Sequence, residues 1–149
     1  MGIELYLVRP DADGRVIFPG IDARCIGSLK WAAWNDPAQR LRAAGIGPRE
    51  DPIPPDALVA GAGRGLRALL DEIVPIHPDF AALAADAGDD PDSVRELLWR
   101  FVGGDIVVGD DDAHRRVRAH AAGPFEGFVD LYQRILAGGR EGRYGCWSY

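Results

Sequence analysis

The apolar residues of this chain change period twice, and that change restricts the fold more than any other feature. Residues 3–8, IELYLV, form a short apolar run, followed by PDADG and then RVIF. Turn-forming Pro, Asp and Gly between two such runs predict a β-hairpin pairing 3–8 with 15–18. From Pro55 the pattern is different: Leu58, Ala62, Leu66, Leu69 and Ile73 recur at steps of three and four, which places them on one face of a helix. Val94, Leu97, Leu98 and Phe101 repeat that period, as do Phe125, Phe128, Val129, Tyr132, Ile135 and Leu136. Ile106-Val107-Val108 reads as a short buried strand, and strand-type sequence returns in the closing GRYGCWSY. Strands at both ends with helices between them predict an α+β fold. The expected architecture is a single compact domain over 1–149. A small, mostly antiparallel sheet (3–8, 15–18, 105–108, 143–148) is covered on one side by five to six helices.

Proline and glycine punctuate the helices. Asp36-Pro37 is a helix start and Gly45 a stop, whereas Leu29–Trp34 fits either a short helix or a strand. The prolines of GIGPREDPIPP remove donors and force extended backbone, which predicts a loop. Helices are expected from Pro55 to just before Pro75, over Pro78–Ala87, from Asp90-Pro91 to Gly103, from Asp110 or Asp111 to about Ala122, and from Pro124 to Gly138-Gly139. Gly61, Gly63 and Gly65 fall inside the longest pattern, at a cost of about 1 kcal/mol each in a helix interior. They mark either a patch where a neighbour packs closely or a break into two pieces. A dinucleotide fingerprint would need a third glycine at position 66, which is Leu66, and no Walker lysine follows.

Composition bounds the function classes. A chain of 149 residues with 47% hydrophobic and 27% charged residues is globular rather than disordered. At that length it can bury roughly 70% of its unfolded surface. No apolar run approaches the ~18 residues of a membrane span, and the first residues lack a basic region leading into an apolar one, so a cytoplasmic protein is expected. Sixteen arginines against the single Lys30 read as GC-rich bacterial coding bias. Cys25 and Cys146 lie far apart with no CxxC spacing, and both are expected to stay reduced.

The net charge of −6 is unevenly distributed: residues 86–112 hold nine acids and two bases, a charge of −7, leaving +1 for the rest. Nucleic-acid binding needs clustered cationic charge, so that class is disfavoured. A basic protein partner matches the acidic field better. Asp86, Asp89, Asp92 and Asp112 are the expected binding residues on this surface.

The aspartates Asp110, Asp111 and Asp112 could serve a hard cation, or accept the orphan N–H groups at a helix start. Counting a calcium loop from Asp105 puts Arg116 at the twelfth position, where a Glu is required, so that motif is absent. No metal site and no cofactor are expected. His114 lies four residues after Asp110, on the same helix face, and the pair could orient an imidazole as general acid or base. The blander reading is a histidine at the core margin bonded to a cap carboxylate. His120 lies six residues on, about 120° around the helix, so the two histidines cannot hold one ion together. Trp31 and Trp34 could stack on a ligand or fill core. There is no GxSxG, HExxH or CxxC.

The tail concentrates Tyr144, Cys146, Trp147 and Tyr149 in its last six residues. Burying such side chains is favourable by ~1.5–3 kcal/mol each, which predicts a docked closing strand. Tyr144 and Trp147 could also wall a small-molecule pocket near Asp110 and His114. Two stretches resemble the YfbM-like family of small bacterial proteins. One is Met1-Gly2 running straight into IELYLV; the other is FEGFVDLYQRILAGGREGRYGCWSY, an aromatic helix, a glycine stop and an aromatic strand. They cover about a quarter of the chain, and the middle departs from the family's Lys/Trp/His-rich helix. The resemblance implies an α+β domain and supplies no activity. Two readings of function remain open: a non-enzymatic protein binding a basic partner, or a small-molecule enzyme or binding protein using the Asp110–His114 pair.

Overall fold

The computed structural model describes residues 3–20, 22–29, 37–73, 78–87, 90–102, 112, 115 and 126–148. Among them are three strands, β1 (Ile3–Val8), β2 (Arg24–Leu29) and β3 (Tyr144–Ser148). Five helices accompany them: α1 (Pro37–Ala43), α2 (Pro55–Ile73), α3 (Pro78–Ala87), α4 (Pro91–Val102) and α5 (Glu126–Arg140). The fold is α+β. Four of the five helices begin on a proline, whose fixed φ suits the first helical position and whose missing N–H would have had no helical partner there.

The sheet has the order β2-β1-β3, with both neighbours antiparallel to β1. Leu5 pairs with Gly27 on one side and Trp147 on the other, and Leu7 with Arg24 and Gly145. Alternation along the strands sends this set toward the helices, where Leu5, Leu7 and Trp147 join the core of Leu41, Leu58, Leu66, Phe128 and Ile135. Glu4, Tyr6 and Val8 take the opposite face, beside Ser28, Cys25, Cys146 and Tyr144. Ile26 is an extra residue where the β1–β2 register slips between Leu5 and Tyr6, a bulge that re-aims the edge strand.

The expected hairpin partner 15–18 is not a strand. The turn itself forms: Asp11 Oδ1 accepts from the N–H groups of Asp13 (2.9 Å) and Arg15 (2.8 Å), and Gly14 takes φ +79°. Pairing is then delayed to Arg24. Pro19 has no N–H for a ladder, Ile17 is 61% exposed, and the Phe18 ring lies 5.0 Å from that of Tyr6. Phe18 therefore packs beside Tyr6 on the second face of the sheet, and 15–18 does not extend the ladder. The strand expected over 105–108 lies outside the described residues.

The far edge of β3 is closed by Ile53, whose N–H and C=O both bond to Gly145 (2.8 and 2.9 Å). Pro52 and Pro54 flank it, so the ladder cannot propagate to a further strand. α2 is continuous through its three glycines, and their role is close packing: Ile46 sits against Gly61 and the Phe128 ring against Gly65. The expected stop at Gly138-Gly139 is also corrected. α5 continues to Arg140, and the chain reverses at Gly142, where φ is +71°. Gly138 is needed for proximity, since Leu7 would lie 2.7 Å from a Cβ there.

Candidate functional site

Of the residues singled out by sequence, Asp89, Asp110 and His114 lie outside the described residues. Asp86, in the last turn of α3, and Asp92, in the first turn of α4, are exposed, as is Asp112. Asp92 accepts a hydrogen bond from Gln133 Nε2 at 2.5 Å, and Asp112 pairs with Arg115. Asp90 caps α4 by accepting from the Ser93 hydroxyl (2.6 Å) and backbone N–H (3.2 Å), and those donors hold its carboxyl below the usual range. Glu96 is exposed one turn beyond Asp92, on the same side of α4. Arg95, between them, pairs across to Asp130 of α5.

The two tail aromatics are not brought together. Trp147 is 5% exposed and packs with the helices, while Tyr144, three residues away on β3, is half-buried on the other face. They do not wall a common pocket.

A cleft that sequence reasoning missed opens between β2 and the C-terminal half of α5, with a volume of about 270 Å³. Arg134, Ala137, Gly138 and Glu141 recur at helical steps along the α5 side. Leu7, Cys25 and Ile26 line the strand side with Arg24. The reversal at Gly142 carries Arg143 back under the end of α5, where its backbone N–H bonds to Gly138 O at 2.9 Å. Its side chain is only 1% exposed. Arg143 Nε donates to Glu141 Oε2 (2.6 Å), Nη1 to the Asp22 carbonyl (3.1 Å) and Nη2 to Asp22 Oδ1 (3.3 Å).

The surrounding charges form a cluster. Arg9 Nη2 lies 3.4 Å from Glu141 Oε2 and Arg24 Nη1 3.9 Å from the same oxygen, while Arg9 Nε lies 3.8 Å from Asp22 Oδ2. Donation from Arg143 holds the Asp22 and Glu141 carboxyls below their ordinary range, and those two acceptors in turn raise the Arg143 guanidinium. Cys25 borders this cleft and is exposed, its thiol donating to the Gly27 carbonyl (3.7 Å), whereas Cys146 is buried and burial pushes its thiol pKa up. Among the described residues, no group of three His, Cys, Asp or Glu side chains could hold a metal ion.

No family model matches the chain, and no curated protein or solved structure does either. Among the described residues, no helix is long and apolar enough to cross a membrane.

Proposed function

We propose that the protein acts by binding a basic protein partner through the acidic surface of α3 and α4. The observation that carries this reading is the pairing of Arg95. It is a base inside the acidic segment, but its charge goes to Asp130 on α5 rather than to its own neighbours. Asp86, Asp90, Asp92 and Glu96 are all exposed, and no cation among the described residues pairs with them. A surface of one sign steers an oppositely charged partner and raises its association rate, and the effect weakens as salt screens it. The bacterial cytoplasm is the proposed setting, in keeping with the arginine-rich composition and the two free thiols.

The test is capture of partners by the tagged chain from a lysate of its source bacterium, at low and at physiological ionic strength. A basic protein should be retained, more strongly at low salt, and should be lost from a variant carrying Asp86→Lys, Asp92→Lys and Glu96→Lys. Failure to retain any basic protein at either ionic strength, or equal retention by the triple variant, overturns the reading.

A further inference from the structure

We propose that the cleft between β2 and α5 binds a small organic dianion, such as a phosphate monoester or a short dicarboxylate. Charge is the first argument. The cluster holds four guanidinium groups (Arg9, Arg24, Arg134, Arg143) against two carboxylates (Asp22, Glu141), an excess of two positive charges in a chain of net charge −6. A doubly charged ligand neutralises that excess.

The second argument is independent of charge. A guanidinium carries five N–H donors, and Arg143 is 1% exposed. Asp22 and Glu141 accept three of those donors, one from each nitrogen. Each nitrogen thus has one acceptor, and the two terminal nitrogens retain donor capacity for a ligand. An oxyanion offers lone pairs in the geometry a guanidinium fork suits best. Arg24 and Arg134 at the rim are exposed, so they can close on a ligand without disturbing the core.

Size and lining narrow the class further. At about 270 Å³ the cleft lies just below the range typical of drug-sized ligands, which favours a small ligand. Leu7, Ile26 and Ala137 supply apolar wall, so a short hydrocarbon body fits better than a bare inorganic ion. The cleft is separate from the acidic surface of α3 and α4, and this inference does not rest on the partner reading.

Cys25 serves as the reporter, because it borders the cleft and is exposed while Cys146 is buried. The experiment measures alkylation of Cys25 by iodoacetamide on the purified full chain, with inorganic phosphate or succinate titrated against chloride at matched ionic strength. Thermal melts run in parallel. Saturable protection of Cys25 with a rise in Tm is expected from one or both dianions. Arg134→Ala should weaken it about tenfold, the worth of one charge-assisted hydrogen bond. Protection by phosphate alone identifies a phosphate monoester, by succinate alone a dicarboxylate. Arg134→Gln repeats the test if the alanine variant does not match the wild-type urea midpoint. Protection no greater than that from chloride, or unchanged in the folded Arg134 variants, overturns the proposal.

Discussion

Arg143 and Asp22 are 121 residues apart in sequence, and only the docking of β3 beside β1 brings them together. That separation is why the cleft could not be read from the chain: nothing in GREGRYG points to Asp22. The residues that did stand out, Asp110 and His114, owed their prominence to local spacing, the one relation a single sequence displays. Arg143→Met keeps much of the buried stem while removing the charge. The stripped carboxylates of Asp22 and Glu141 are 53% and 41% exposed and can regain water, so the penalty of an uncompensated buried charge does not apply in full. The expected loss is that of the charge-assisted bonds, about 1.5–3 kcal/mol, read as a lower urea midpoint at unchanged slope. The pH dependence has a definite sign. Both carboxyls titrate below their ordinary values of 3.8 and 4.5 when folded, so the unfolded chain takes up protons first as pH falls. Their stabilisation is complete above about pH 5, declines as pH drops through the ordinary range, and is lost below the depressed folded values. Urea midpoints measured from pH 6 to 3 should fall in wild type and fall less steeply in Arg143→Met.

At the scale of elements, the starts of helices were legible and the partners of strands were not. Pro37, Pro55, Pro78 and Pro91 each mark a helix start through a local rule about one missing N–H. The pairing of β1 with Arg24–Leu29 instead of 15–18 depends on where Phe18 finds cover, which is a tertiary matter. The glycines of α2 show the same division. Propensity alone predicts that Gly65→Ala stabilises by about 1 kcal/mol. The added Cβ would clash with the Phe128 ring, and Phe128 is fully buried, so it cannot swing aside. Overpacking of this kind costs about 1–3 kcal/mol, and Gly65→Ala should lower the midpoint of urea unfolding. Gly61→Ala should do the same, because the Cβ would clash with the Ile46 side chain. Gly139→Ala is the control. Its nearest neighbour, Val59, is at an ordinary 3.5 Å, so the propensity gain survives and the midpoint should rise slightly. If Gly61→Ala and Gly65→Ala stabilise as well, close packing is not the reason those two glycines stand in α2.

Across the whole molecule the chain closes on itself: β1, near the start, lies in the middle of the sheet, and β3, near the end, completes it. Removing Tyr144–Tyr149 therefore does more than trim a terminus. It strips Leu5 and Leu7 of their pairing partners Trp147 and Gly145, leaves Ile53 without its bridge, and removes Trp147 from the core. Losing a buried tryptophan side chain alone costs about 3–5 kcal/mol, against a typical total stability of about 5–15 kcal/mol. The two remaining strands make a ribbon of the kind that is marginal by itself. The truncated chain should accordingly show no cooperative urea or thermal transition and lose its near-ultraviolet circular dichroism. Trp147→Phe, which keeps most of the apolar volume and removes an indole N–H that has no acceptor among the described residues, should stay folded with a change of under about 1.5 kcal/mol. A truncated chain that still unfolds cooperatively would mean that the core formed by α1, α2 and α5 is self-sufficient and that the closing strand is an accessory to it.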